Sequence, residues 1–154
     1  MNRVRRGLLG LLVVALAAGC IAKQKEPTVT YQEAQRRVVA LVDETLTATL
    51  PSMRLDQPRV EQLLCKDALG APSEDVYLHF ERTFPMDGPQ AGQLVADTDR
   101  IWRERGYAVE PDDRHQGVSI RYATLNGYNM RLVVNRTTKR VYLGASSPCV
   151  RPPS

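Results

Sequence analysis

The sequence contains little that would support a membrane-spanning helix, a metal site or a known catalytic motif. No run reaches the roughly 20 consecutive apolar residues that a membrane span needs. The chain has two histidines, and it contains no Walker loop, no Gly-x-Ser-x-Gly elbow and no His-Glu-x-x-His motif. With 43% apolar and 25% charged residues among 154, the composition is typical of one globular domain.

The net charge of +4 does not indicate a nucleic-acid partner, because it depends on the first few residues. Arg3, Arg5 and Arg6 lie in a segment that is predicted to be removed. Residues 20–154 hold 18 basic and 17 acidic side chains, which is nearly neutral. A mature chain of that charge has no basic excess with which to neutralise phosphates, so no nucleic-acid partner is expected.

The first 19 residues are predicted to form a secretory signal peptide. Residues 1–6 carry three arginines and no acid, and residues 7–18 are almost entirely apolar. As a helix, this apolar run would span only about 18 Å, against about 30 Å of membrane hydrocarbon. We therefore expect cleavage rather than a retained membrane span. Two adjacent arginines also fit a twin-arginine signal, so the export route stays open.

The end of this segment, Ala17-Ala18-Gly19-Cys20, resembles a bacterial lipobox. In such signals the cysteine thiol receives a diacylglyceryl group and the chain is cut just before it. The resemblance implies a lipid on Cys20, residues 20–29 as the lipidated N-terminus and tether, and localisation on the extracytoplasmic side of the cell membrane. The alternative is an ordinary signal peptide with an incidental cysteine.

The three cysteines support this interpretation by their number. A free thiol is unusual in an exported protein, and a lipid on Cys20 leaves Cys65 and Cys149 as a pair. A disulfide between them would close a loop of about 85 residues, worth about 4–5 kcal/mol on the chain-entropy model. A zinc site is the weaker alternative, because neither cysteine has a nearby second cysteine in a Cys-x-x-Cys motif.

Two helices are predicted from apolar residues that recur three and four positions apart. Thr30 and Glu33 form a Thr-x-x-Glu capping box ahead of the first helix, which should end before Pro51. The second should begin near Asp87 and end at a left-handed Gly106. The apolar stripes are Ala34, Val38, Leu41, Val42, Leu46 and Leu50, and then Ala91, Leu94, Val95, Thr98, Ile101 and Trp102.

Strands are predicted at 76–84, 107–110, 118–124, 128–135 and 140–145, whereas 59–65 is predicted to contain a turn or two of helix. The expected fold is α+β, with an antiparallel four- to five-stranded sheet and two helices packed on one face. The element order is α-β-α-β-β-β-β. Residues 30–154 would form this single extracytoplasmic domain.

The register of the last three strands depends on which side chains face the core. If Ile120 and Tyr122 face it, a three-residue loop at 125–127 is needed, and Tyr122 lies opposite Met130. A two-residue turn would instead set Tyr122 opposite Arg131. We predict the three-residue loop because it buries the larger apolar side chains. The next turn should have an even number of residues, pairing Val134 with Val141 and Leu132 with Leu143.

Several short motifs in residues 30–154 resemble the LppA family of mycobacterial lipoproteins. They are Cys65-Lys66-Asp67, Thr83-Phe84 at a strand end, Asn126-Gly127-Tyr128 ahead of Arg131-Leu132, and the terminal Cys149. The similarity covers most of this region in order and spacing. It implies an envelope lipoprotein of actinobacterial origin, and it supplies no catalytic residues.

The sheet face opposite the helices is the predicted binding face. Its side chains would be Tyr77, His79, Glu81, Arg121, Arg131 and Tyr142. Arginine and tyrosine suit recognition surfaces, although a merely solvated sheet face would also be polar. The favoured function is a non-catalytic binding module for an envelope protein or a small ligand. The alternatives are a ligand carrier and an envelope enzyme that uses His79 and Glu81. No catalytic residue, cofactor or metal site is predicted.

Overall fold

The structure is a computed structural model that describes residues 29–111, 113–115 and 117–153. The predicted signal peptide, Cys20 and nearly all of the predicted tether lie outside the described residues. Among those that are described, no helix combines the length and the apolar character needed to cross a bilayer.

The domain is α+β, as predicted, with two helices and an antiparallel sheet. In chain order the elements are α1 (Tyr31–Thr49), β1 (Glu61–Lys66), β2 (Pro72–Pro85), α2 (Gly88–Glu104), β3 (Ala108–Val109), β4 (Asp113–His115), β5 (Val118–Leu125), β6 (Tyr128–Asn135) and β7 (Arg140–Ser146). The strand order across the sheet is β1-β2-β7-β6-β5-β3, and β4 also pairs with β5.

The described sheet has seven strands rather than the predicted four or five, because two short segments are extended. The predicted helical turn at 59–65 is wrong: Glu61–Lys66 forms β1 and pairs with β2. Its apolar spacing fits a helix, but pairing with a neighbouring strand overrides such a local preference. The second addition is β4, which pairs with the start of β5 next to Gly117, a glycine with φ of +86°.

Both helices begin and end where the sequence predicts. The amide of Glu33 donates to Thr30 Oγ1 at 3.2 Å, and the amide of Thr30 donates to Glu33 Oε2 at 3.0 Å, which completes the capping box. These hydrogen bonds from Thr30 lower the pKa of the Glu33 carboxyl. Helix α2 follows Asp87, and Gly106 beyond its end has a φ of +81°.

The core lies between the two helices and one face of the sheet, which we call the covered face. Trp102 of α2 is fully buried there, and its Nε1 donates to Thr45 Oγ1 of α1 at 3.2 Å. The Thr45 hydroxyl in turn donates to the Leu41 carbonyl at 2.8 Å, so this polar pair is satisfied inside the core. The covered face supplies Val76, Leu78, Phe80, Met130, Leu132, Val134, Val141, Leu143 and Ala145.

The predicted register between β5 and β6 is wrong by one residue. The connection is a two-residue turn in which Asn126 and Gly127 have φ of 51° and 80°, so that Tyr122 lies opposite Arg131. Two successive positive φ values define the hairpin turn that Asn-Gly favours, and this preference outweighs the burial of larger apolar side chains. The register between β6 and β7 is confirmed, with Val134 opposite Val141 and Leu132 opposite Leu143.

The shifted register moves Arg121 from the predicted binding face to the covered face. It is buried there, and its Nε lies 3.0 Å from Asp99 Oδ1 of α2. A second strand arginine, Arg82 of β2, also lies under a helix, with its Nε 2.7 Å from Asp43 Oδ1 of α1. Each helix therefore contributes an aspartate that pairs with an arginine of the sheet.

A disulfide joins Cys65 to Cys149, as predicted, across a sequence separation of 84 residues. Cys65 lies in β1 rather than in the helical turn predicted at 59–65, so the bond connects an edge strand to the segment that follows β7. Next to it, Val150 and Val76 exchange two backbone hydrogen bonds of 3.0 and 2.8 Å. The C-terminal segment is thus fixed against the start of β2.

Candidate functional site

The sheet face opposite the helices, which we call the open face, carries five of the six predicted binding residues. They occupy β2, β6 and β7, where strand alternation directs them away from the core. These five are Tyr77, His79, Glu81, Arg131 and Tyr142. Arg121 is the exception, for the reason given above.

A groove of about 350 Å³ lies on this face. It runs across the part of the sheet nearest the start of β2 and the start of β6. Its walls combine apolar and aromatic side chains with a few polar groups, a composition typical of ligand sites. The open-face residues that line it are Leu63, Tyr77, His79, Tyr122, Asn129, Arg131, Gly144 and Ser146.

Gly144 forms the floor of the groove in the central strand β7. A Cβ at this position would lie 3.1 Å from His79 Cε1 and 3.3 Å from the Phe80 carbonyl oxygen. The missing side chain therefore leaves room for the imidazole. Gly144 lies between Glu81 of β2 and Arg131 of β6, its two cross-strand neighbours, and has no side chain to keep them apart. Arg131 Nη2 donates to Glu81 Oε2 at 3.2 Å across this gap.

The hypothesis of an acid–base pair formed by His79 and Glu81 has weak geometric support. His79 Nδ1 lies 2.9 Å from Ser146 Oγ, whereas Glu81 accepts from Arg131. Each member of the suggested pair is thus hydrogen-bonded to a different partner. Within the described part of the chain, no group of three or more His, Cys, Asp or Glu side chains is placed to hold a metal ion.

Sequence reasoning missed several groove residues, and three of them had a detectable signal. The two-residue Asn126-Gly127 turn predicts that Tyr122 lies on the open face, because it sets Tyr122 opposite Arg131. If residues 61–66 are taken as a strand, its alternation places Leu63 on the open face, opposite Tyr77. Gly144 could have been noticed as a glycine inside an apolar strand, which often marks close approach of another group.

Comparisons of the chain with models of protein families, with curated proteins and with solved structures find no match. The resemblance to the LppA lipoproteins therefore stays a prediction.

Proposed function

We propose that this chain is an extracytoplasmic lipoprotein, anchored by acyl chains on Cys20, whose domain binds a small ligand in the open-face groove. The proposal includes kinship with the LppA lipoproteins and contains no catalytic step. The membrane, reached through the lipid, would be its constant partner.

One observation carries the proposal: the disulfide uses Cys65 and Cys149, two of the three cysteines. The remaining cysteine is Cys20, which ends a basic and then apolar segment of the kind that precedes a lipidation site. Disulfides persist in oxidising compartments outside the cytosol, so the pair and the signal segment point to the same location.

The groove supports a small ligand because its size and lining suit one. A volume of about 350 Å³ falls within the usual range for ligand sites. Tyr77, Tyr122 and Leu63 offer apolar and aromatic surface, while Arg131 and Asn129 offer hydrogen-bond donors. The ligand we expect is therefore partly aromatic or aliphatic and carries at least one acceptor group.

The anchor is tested by the intact mass of the protein isolated from bacterial envelopes. We expect a chain that starts at Cys20 and carries the mass of a diacylglyceryl group. A Cys20→Ser variant should lose that mass and leave the membrane fraction. The matched control, Cys65→Ser with Cys149→Ser, should keep the lipid. An unmodified full-length chain, or three free thiols, would refute the anchor.

The binding role is tested by native mass spectrometry of the protein released gently from envelopes. We expect a small-molecule adduct on the unmodified protein that a Gly144→Ala variant loses, because the added methyl group displaces His79 within the groove. Gly92→Ala, in helix α2 and with no atom of another element within 4 Å of the new Cβ, should keep the adduct. Equal adducts on both variants, or none on the unmodified protein, would contradict a ligand role.

A further inference from the structure

We propose that the tip of the β1–β2 hairpin, residues 66–71, rests in the interface of the membrane that holds the lipid anchor. The inference depends on the proposed function for the anchor, and it adds which end of the domain contacts the lipid surface. The partner is therefore a bilayer surface rather than a protein.

The first observation is a concentration of exposed leucines on this hairpin. Leu69 at the tip is 94% exposed, Leu64 is 61% exposed and Leu63 is 39% exposed. Among the described residues these are three of the five large apolar side chains that stay exposed, the other two being Leu55 and Tyr122. Leu63 and Leu64 are neighbours in β1 and face opposite sides of the sheet, so the hairpin presents apolar surface on both sides behind Leu69. Single exposed leucines are ordinary, whereas exposed apolar side chains at the tip and on both sides of one hairpin suit contact with a lipid interface.

The tip holds Leu69 outward in a defined turn. Asp67 Oδ1 accepts hydrogen bonds from the amides of Leu69 and Ala71 at 2.8 and 2.9 Å. The amide of Gly70, whose φ is +84°, donates to the Asp67 carbonyl at 3.0 Å. The amides of Leu69, Gly70 and Ala71 are therefore hydrogen-bonded within the turn, which lowers the cost of contact with an apolar environment. The Cys65–Cys149 bond holds the base of the hairpin.

The second observation is that helix α1 starts toward the end of the sheet from which this tip projects. Near its start, the Tyr31 hydroxyl donates to Gln62 Oε1 at 3.0 Å, and Gln62 lies opposite Leu78 of β2. Further along the helix, Asp43 pairs with Arg82, four residues later in β2. Because β2 runs away from the tip, α1 does so too. Val29 and Thr30, which precede Tyr31, therefore lie at the end of α1 that is nearer the tip.

The third observation is the length of chain between the anchor and the domain. Eight residues, 21–28, separate Cys20 from Val29, and even a fully extended tether of that length reaches only about 30 Å. The end of the domain nearest the tether is thus held close to the bilayer. The carboxylates near the tip are engaged in contacts of the fold: Glu74 and Asp75 share Arg151, and Asp67 accepts from two amides of the turn, while Lys66 suits anionic headgroups.

The experiment uses the acylated protein in vesicles of dibrominated phosphatidylcholine and phosphatidylglycerol. A Leu69→Trp variant reports on the tip, because bromine quenches a tryptophan that enters the interface. Leu55→Trp is the matched control, since Leu55 is also an exposed leucine but lies beside Asp56, whose carbonyl accepts from Arg82 far from the tip. The native Trp102 is fully buried and contributes the same background to both variants.

We expect Leu69→Trp to show blue-shifted emission and at least about twofold more quenching than Leu55→Trp. Emission at the aqueous wavelength, with equal quenching of both variants, would overturn the inference. A blue shift that grows with protein concentration in unbrominated vesicles, without bromine quenching, would assign the tip to a second copy of the chain and also overturn it.

The state of Cys20 separates a failure of this inference from a failure of the proposed function. The mass of the reconstituted protein is measured first. A chain without the acyl group refutes the anchor and the membrane-facing tip together. An acylated chain whose tip is not quenched refutes the tip contact alone.

Discussion

The two faces of the sheet hold their arginines in different ways. On the covered face, Arg82 and Arg121 have side chains that are 11% exposed, and each pairs with an aspartate of a helix. On the open face, Arg131 is 48% exposed and pairs with Glu81 of the sheet itself. Charge on the covered face fixes the helices in place, whereas charge on the open face stays within reach of a ligand.

The same contrast explains why alternation alone does not identify the buried face. In β5 the covered face receives Ser119, Arg121 and Ala123, while Tyr122 remains 37% exposed on the other side. The methylene groups of an arginine can pack in a core when a carboxylate meets its guanidinium. Burial of this strand thus depends on a partner in α2, which a local sequence pattern cannot show.

The largest contrast should come from shortening neighbouring apolar residues in β6. Leu132 is 1% exposed on the covered face, and we expect Leu132→Ala to lower the free energy of unfolding by about 3 kcal/mol through the lost contacts and the cavity. Val133→Ala, on the open face, should cost about 1 kcal/mol or less. Urea unfolding of both variants measures the difference. Similar losses would show that the two faces are buried alike.

The next contrast concerns the arginine pairs. Arg121→Met should cost about 2 kcal/mol, because it leaves the carboxylate of Asp99 without this cation near the core. Arg131→Met should cost less than about 1 kcal/mol, since its pair with Glu81 is solvated. A double variant, Arg121→Met with Asp99→Leu, should recover part of the loss in thermal unfolding. A single Arg121→Met variant as stable as the parent would contradict the role of this pair.

Two glycine variants should change stability in opposite directions. Gly144→Ala should destabilise by about 1–2 kcal/mol, because the new methyl group meets the Phe80 carbonyl oxygen and the His79 ring. Gly92→Ala, in a helix with free space, should stabilise by up to about 1 kcal/mol. Calorimetry of both variants measures whether each substitution raises or lowers the stability. A neutral Gly144→Ala variant would mean that the groove floor adapts to a side chain.

The smallest expected effect depends on pH and concerns the cap of α1. Because the Glu33 pKa is lowered by hydrogen bonds from Thr30, its ionised form stabilises the folded state above the pKa of the unfolded chain. That stabilisation is lost as the pH falls through the folded pKa. Glu33→Gln should therefore melt lower than the parent at pH 7, and the gap should close in acid. Glu110→Gln controls for the loss of one negative charge, and a gap that persists in acid would exclude this cause.

Much of the fold follows from local signals, and its two main misses have different causes. The capping box at Thr30 and the glycine at Gly106 predict the helix ends because their chemistry is contained within one turn. The edge strand β1 is missed because its conformation is decided by pairing with β2. The register of β5 is missed because the Asn126-Gly127 turn competes with hydrophobic pattern, and the turn prevails.

The candidate site was predictable in part for the same reason. Tyr77, His79 and Glu81 lie in a strand whose alternation is clear, so their shared face could be predicted. The groove also needs Tyr122, from the strand whose predicted register is wrong, and Leu63, from the strand that was not predicted. A site assembled from several strands can thus be predicted only if the position and register of each strand are predicted.

The disulfide has a consequence for the order in which the molecule is completed. Cys149 follows Cys65 by 84 residues and lies beyond Ser146, the last residue of β7. Until Cys149 has been made, the thiol of Cys65 has no disulfide partner. Because every strand of the described sheet precedes Cys149 in the chain, this bond can close only after the whole of that sheet has been synthesised.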